Sequence, residues 1–126
     1  MHGLSEVAGQ GIYSVLGLRK LGEDAEMVVW MPNMFGYSYD RALNIDKKNK
    51  KKFIIYAVKI FVSFLSALFR YDIYHFHYGR SFLLNKELKL MKLLHKKVFY
   101  EFHGSDLRNN KIANNRNHYF VFPDRE

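Results

Sequence analysis

Cysteine is absent from this sequence of 126 residues, and proline occurs only twice. Without cysteine the chain has no disulfide, no thiolate nucleophile and no metal site built on sulfur. Two prolines and eight glycines are too few for a disordered or collagen-like chain. The first six residues have neither the basic nor the apolar region of a secretory signal, so we expect a cytoplasmic location.

Basic charge is unevenly distributed along the chain. The net charge is +8, with lysines concentrated in residues 47–52 and 86–97, whereas the first forty residues are nearly balanced. Such local basic segments favour a phosphorylated small molecule or an anionic membrane surface as partner, and disfavour nucleic acid. A hydrophobic content of 48% and an aromatic content of 17% predict one folded domain over residues 1–126.

Helical and strand-like patterns alternate along the first hundred residues. The predicted helices span residues 7–21, 53–69 and 86–97, and the predicted strands span residues 25–30, 71–78 and 98–103. We expect residues 31–50 to form a loop and residues 109–126 to form a poorly ordered or partial tail. Alternation of this kind predicts an α/β fold, with a Rossmann-like parallel sheet and flanking helices.

The segment 53–69 contains one charge in seventeen residues, close to the lower limit for a membrane span. Its polar residues recur every three or four positions, which places them in one stripe along a helix. They are Lys52, Tyr56, Lys59, Ser63, Ser66 and Arg70. A lipid-spanning helix has no use for such a stripe, so we predict a helix that packs on the sheet and has a thin solvated edge.

Three stretches are candidates for ligand binding because they open a helix or follow a strand of the predicted sheet. They are His2-Gly3 with Ala8-Gly9-Gln10-Gly11, then His75-Phe76-His77-Tyr78-Gly79-Arg80-Ser81, and His103-Gly104-Ser105-Asp106. Glycine allows close approach of the backbone, and histidine can donate to a phosphate or sugar oxygen. The alternative is that these are ordinary loop glycines and hydrogen-bonded histidines, and each residue taken alone fits either interpretation.

A metal site is a further alternative. His75 and His77 alternate on one strand and share a face, and His103 and Asp106 could complete a ligand set for a metal-dependent hydrolase. Such a hydrolase would be expected to show a paired carboxylate or a third histidine nearby in the sequence, and neither is evident. We therefore predict no metal and no cofactor.

Four motifs, in this order, resemble the N-terminal domain of GT-B glycosyltransferases of the family-4-like kind. They are His-Gly-x-x-x-x-Ala-Gly-Gln at 2–10, Leu-Arg-Lys-Leu-Gly at 18–22, Tyr-Asp-Ile-Tyr-His-Phe-His-Tyr-Gly-Arg-Ser at 71–81 and Phe-His-Gly-Ser-Asp-Leu-Arg at 102–108. The resemblance implies the N-terminal half of a GT-B fold. In that family this domain binds the acceptor, and a C-terminal domain binds the nucleotide-sugar.

The resemblance also implies roles for the candidate residues. The donor would be a UDP- or GDP-sugar, and the acceptor a glycan or lipid-linked molecule of cell-surface polysaccharide synthesis. The loop of Gly9, Gln10 and Gly11 would face the donor phosphates, and His103 would be the catalytic residue that reaches the donor sugar. The residues implied to line the cleft are His77, Arg80, Gly104, Ser105 and Asp106.

The sequence also departs from that family. Similar proteins begin with an apolar strand that leads into His-Gly, whereas here Met1 directly precedes His2, so we expect the first strand to be missing. We expect a fragment that transfers no sugar by itself. The lack of an Asp-x-Asp motif fits metal-independent transfer. A peripheral membrane-binding module, docking through lysines 47–52 and 86–97, is the alternative from another class.

Overall fold

A five-stranded parallel sheet forms the centre of the protein, in a computed structural model that describes residues 1–46 and 52–104. The strands are β1 (His2–Leu4), β2 (Met27–Val29), β3 (Arg41–Ala42), β4 (Ile73–His77) and β5 (Lys97–Glu101). The helices are α1 (Gln10–Lys20), α2 (Phe53–Arg70) and α3 (Leu88–Leu93). The strand order β3-β2-β1-β4-β5 confirms the predicted α/β, Rossmann-like fold. The predicted tail at 109–126 and the lysines at 47–51 lie outside the described residues.

The central strand is β1, which the sequence led us to expect to be missing. Its backbone pairs on both sides, because the His2 amide donates to the Glu26 carbonyl at 2.8 Å and the Met1 carbonyl accepts from the His75 amide at 3.0 Å. Three residues suffice here because β2 and β4 are hydrogen-bonded to the same short segment. The expectation of a sheet without its first strand is therefore corrected.

The strand β3 lies within the predicted loop 31–50 and corrects that prediction too. It comprises only Arg41 and Ala42, too few residues to show an alternating pattern. Its position is fixed next to β2, where the Asp40 carboxylate accepts from the Met27 amide at 2.8 Å and also contacts the Arg19 guanidinium at 2.9 Å. The Leu-Arg-Lys-Leu-Gly motif therefore connects the end of α1 to the edge of the sheet.

Helices α1 and α3 are shorter than predicted because residues next to them adopt left-handed backbone conformations. Ala8 and Gly9 have φ values of 51° and 83°, so α1 begins at Gln10 instead of residue 7. Leu84 and Asn85 have φ values of 54° and 69°, and α3 begins only at Leu88. Few side chains favour this conformation, and most of these positions carry no glycine to signal it.

Two apolar layers cover the sheet. Ile12 and Val15 of α1 pack with Met27 and Val29. The larger core lies beneath α2 and includes Phe64, Ala67, Leu68, Tyr74 and Phe76. Side chains alternate along β4, so Tyr74 and Phe76 point into this larger core. The other three residues of the strand, which are Ile73, His75 and His77, face the α1 side.

Only part of α2 contacts the core. Of the predicted polar stripe, Ser63 is buried and Tyr56 half-buried, while Lys52, Lys59, Ser66 and Arg70 are exposed. The stripe lies beside the buried face, and the opposite face is apolar and exposed, with Ile54 75% and Phe69 85% accessible. By length and composition alone, α2 is the one helix among the described residues that could cross a membrane. The predicted packing on the sheet is confirmed, but the exposed surface is far more apolar than a thin solvated edge.

The hydroxyl of Tyr74 joins β4 to the last turn of α2. It donates to the Ala67 carbonyl at 2.7 Å and lies 3.1 Å from the Tyr71 carbonyl, fully buried. Burial raises the pKa of Tyr74 to about 12, so the hydroxyl remains a donor at any ordinary pH.

We predict that Tyr74→Phe lowers the free energy of unfolding by about 1 kcal/mol, because one buried hydrogen bond is lost without a change of shape. Urea denaturation, monitored by circular dichroism, measures this difference. The slope of the free energy of unfolding against urea concentration should be the same in both proteins. Tyr13→Phe is the matched control, since Tyr13 is 71% exposed and should leave stability unchanged. Equal effects of both substitutions would contradict the assigned hydrogen bond.

Candidate functional site at the carboxyl edge of the sheet

The direction of chain crossover reverses between β1 and β4. From β1 the chain continues to β2 and β3 on one side, whereas β4 and β5 lie on the other side. In open α/β sheets a crevice forms at this point, outside the carboxyl ends of the strands. Residues 5–9 follow β1 there, residues 78–80 follow β4, and residues 102–104 follow β5.

The sheet brings His77 and His103 together, as their positions after neighbouring strands predict. The Nε2 atom of His103 lies 3.4 Å from the Nδ1 atom of His77, and the two rings are stacked 5.7 Å apart. The ring of Tyr78 lies 5.0 Å from that of His103. His77 is buried and His103 half-buried, so His103 forms the more accessible member of the pair.

Glu101, which the sequence did not lead us to assign to this site, belongs to the same cluster. The register pairs His77 with Glu101, whose Oε2 atom lies 3.3 Å from both His77 Nδ1 and His75 Nε2. The register likewise pairs His2 with His75, with rings 4.8 Å apart. These contacts across neighbouring strands depend on the strand register, which the sequence does not show. The sequence signal for the cluster was that His75 and His77 alternate along one strand and so share a face.

Burial controls the charge of the inner histidines. Desolvation, together with the neighbouring His75, lowers the pKa of His77 to about 4, although Glu101 opposes this shift. Desolvation also lowers the pKa of His2 to about 4, and His75 contributes in the same direction. Both imidazoles are therefore neutral at pH 7, and each keeps one ring nitrogen with a lone pair.

Two sets of three side chains in this cluster lie close enough together to hold a metal ion after small side-chain movements. They are His2 with His75 and His77, and His77 with Glu101 and His103; in each set the potential ligand atoms lie within 4.8 Å of one another. The sequence predicted no metal because no third histidine is close in the chain. The fold supplies that histidine from the first strand.

The loop of Gly9, Gln10 and Gly11 lies at the start of α1, but its amides already have an acceptor. The Glu6 carboxylate accepts from the Gly11 amide at 3.2 Å and from the Ile12 amide at 3.0 Å. A side chain on Gly11 would clash with the Met27 side chain and with Glu6, which explains the glycine. A phosphate at these two amides would have to displace Glu6, so the predicted contact with donor phosphates stays a prediction.

The remaining predicted residues lie around the same edge. Arg80 is exposed and follows Gly79, where a side chain would meet the ring of Phe102 at 2.7 Å. The loop is held by the Ser81 hydroxyl, which lies 2.8 Å from both the amide and the side-chain oxygen of Asn85. Gly104 has a φ of 83° and is half-buried. Ser105 and Asp106 lie outside the described residues.

We predict that Glu6→Ala destabilises the protein by about 1 to 2 kcal/mol, because three amides at the start of α1 lose their acceptor. Thermal and urea denaturation measure the loss, and Glu23→Ala, an exposed site just after α1, is the control with no expected effect. Inorganic phosphate titrated into the wild-type protein should leave the Gly11 and Ile12 amide signals unshifted in NMR spectra. A shift there would show that phosphate can displace Glu6.

Comparison with known proteins adds no relative. No protein-family model, no curated protein and no solved structure matches this chain. The α/β fold and the geometry of the carboxyl edge are therefore the observations from which a function is inferred.

Proposed function

We propose that this chain is the acceptor-side domain of a GT-B glycosyltransferase, which transfers a sugar from a UDP- or GDP-sugar to a glycan or lipid-linked acceptor. The observation that carries the proposal is the pairing of His77 with His103, 3.4 Å apart, at the point where the crossover direction reverses. Ligands of Rossmann-like sheets bind at this point, and the motifs that resemble the family provide these two histidines.

The chemistry of the edge suits a sugar and its phosphates. The half-buried imidazole of His103 and the Tyr78 ring offer a hydrogen bond and an apolar surface, which a sugar ring with its hydroxyl groups needs. The exposed guanidinium of Arg80 can form paired hydrogen bonds with a phosphate. In this proposal His103 contacts the reacting sugar, and His77 positions His103 from the buried side.

In this proposal most of the donor contacts come from a second domain, which residues 1–126 do not include. The proposed setting is polysaccharide synthesis at the cytoplasmic side of a membrane. Since the transition state needs donor and acceptor held together, the chain alone provides binding without turnover.

We predict that a short-chain polyprenyl phosphate, used as an acceptor probe, shifts the imidazole signals of His77 and His103 in ¹⁵N NMR spectra. His103→Ala should weaken its binding at least about tenfold, the effect of losing one good hydrogen bond to a charged group. His95→Gln, which lies after α3 and away from this edge, should bind like wild type.

The outcomes separate binding from catalysis. No shift at the carboxyl edge with this probe, with oligosaccharides or with UDP- and GDP-sugars would refute the proposal. Sugar transfer by this chain alone, from any UDP- or GDP-sugar, would refute the need for a second domain.

A second candidate function is attachment to an anionic membrane surface, and the observation that favours it is the outward face of α2. Its exposed apolar residues lie opposite the buried ones, and they are Ile54, Ile55, Val58, Phe61, Val62 and Phe69. Lys52, Lys59 and Arg70 border this face, and more lysines precede the helix in the sequence. Apolar side chains and flanking basic residues together are typical of helices that lie in the interface of anionic bilayers.

The packing of α2 against the sheet indicates that this helix would lie on a membrane surface and would not span the membrane. The helix has 18 residues, about 27 Å, just short of the hydrocarbon thickness of about 30 Å. However, Phe64, Ala67 and Leu68 are buried in the core of the sheet, and a span would require this core to separate. A helix that keeps its sheet contacts can still insert its opposite face among lipids.

We predict that the protein floats with vesicles containing phosphatidylglycerol, and that high salt weakens but does not abolish this binding, because apolar insertion persists. Val58→Gln with Phe61→Gln should lower the vesicle partition coefficient at least about 100-fold, since burial of each such side chain contributes about 1.5 to 3 kcal/mol. Leu21→Gln, an exposed apolar position at the end of α1, is the control. Equal binding to neutral vesicles, or no effect of the double substitution, would refute this function.

A further inference from the structure

Three histidines from two neighbouring strands share the sheet face that lies on the α1 side. His2 is on β1, and His75 and His77 are on β4. The His75 ring lies 4.8 Å from that of His2 and 4.9 Å from that of His77, and the outer pair is 5.9 Å apart. One nitrogen of each residue lies within 4.8 Å of the other two. The three rings therefore form one compact cluster.

Two of the nitrogens in this cluster are buried without a hydrogen-bond partner. They are Nδ1 of His2 and Nε2 of His77, in residues that are 7% and 1% exposed. An unsatisfied buried polar atom costs about 1 to 3 kcal/mol, and in native proteins such an atom commonly contacts an ion or an ordered water. Both atoms belong to the same cluster, so a single bound species can satisfy them together.

The carboxylate of Glu101 orients His77 in a way that suits cation binding. Glu101 lies 3.3 Å from His77 Nδ1, which fixes the ring and leaves Nε2 as the coordinating atom. A carboxylate behind a ligating histidine is the usual arrangement in metal sites.

The geometry points to a binding site for one divalent transition-metal ion of the zinc class, held by His2, His75 and His77. Metal–nitrogen bonds of about 2.0 to 2.1 Å place tetrahedral ligand atoms about 3.4 Å apart, so side-chain movements of roughly 1 Å close the site. His75 is 30% exposed, which gives the ion a path from solvent and leaves a fourth position for water or another ligand. The site shares His77 with the pair at the carboxyl edge, but zinc binding by the three histidines does not require the proposed sugar transfer.

The test uses the whole chain without an affinity tag, freed of metal with a chelator. Zinc binding is measured by calorimetry, and Co²⁺ binding by its visible absorption, whose intensity distinguishes four-coordinate from octahedral sites. We expect one equivalent of each ion, a low-symmetry cobalt spectrum and a higher melting temperature with zinc, because the ion binds only the folded protein. Binding of no ion, or only of several weak equivalents, would overturn the proposal.

Substitutions locate the site. His75→Gln and His77→Gln should each weaken zinc binding more than Glu101→Gln, for which a loss of about 10- to 100-fold is expected. His95→Gln, an exposed histidine after α3, should bind normally. His75→Gln also excludes a local chelate formed by the terminal amine with His2, since that chelate would survive the substitution.

A measurement on the wild-type protein covers the case in which a variant fails to fold. Zinc should shift the imidazole ¹⁵N signals of His2, His75 and His77 and leave those of His95 in place. Unchanged signals from these three residues, or normal zinc affinity in the folded His77→Gln variant, would refute the site.

Discussion

Backbone pairing along the first four residues holds the two halves of the sheet together. On one side of this segment the Leu4 carbonyl accepts from the Trp30 amide, and the His2 amide donates to the Glu26 carbonyl. On the other side the Met1 carbonyl accepts from the His75 amide, and the terminal amine donates to the Ile73 carbonyl at 2.8 Å. The strands β2 and β4 do not pair with each other, because β1 lies between them. The α1 layer, the larger core and the carboxyl-edge cluster all take their positions from this short segment.

The same pairing creates an unusual sheet face. Parallel sheets covered on both sides are normally apolar throughout, and the α2 side follows this rule with Tyr74 and Phe76. On the other side β1 and β4 place imidazoles next to each other, where bulky aliphatic residues would otherwise pack. Desolvation keeps the rings of His2 and His77 uncharged, and the neighbouring strand provides a single carboxylate, Glu101, that contacts His75 and His77. A polar cluster of this kind has a cost in stability that an apolar layer would avoid, which points to a function.

Much of the fold was predictable because its larger elements have strong local patterns. The helix at 53–70 and the strands at 73–77 and 97–101 follow from apolar runs, alternation and flanking glycines. The strands β1 and β3 were not predictable, because two or three residues are too few to show an alternation of apolar and polar side chains, and because their pairing depends on distant segments. Proximity of His77 and His103 followed from their places after parallel strands, whereas the roles of His2, Glu101 and Glu6 depend on register and on a turn that no local pattern encodes.

Gly79 has a mechanical consequence for the carboxyl edge. Its Cα lies against the ring of Phe102, so closely that even a methyl group would overlap that ring. Tyr78, next to it, covers His103, and its amide donates to the Glu101 carbonyl at 3.0 Å. The loops after β4 and β5 are therefore in direct contact. Because of this contact, we expect a molecule that binds at the carboxyl edge to displace both loops together.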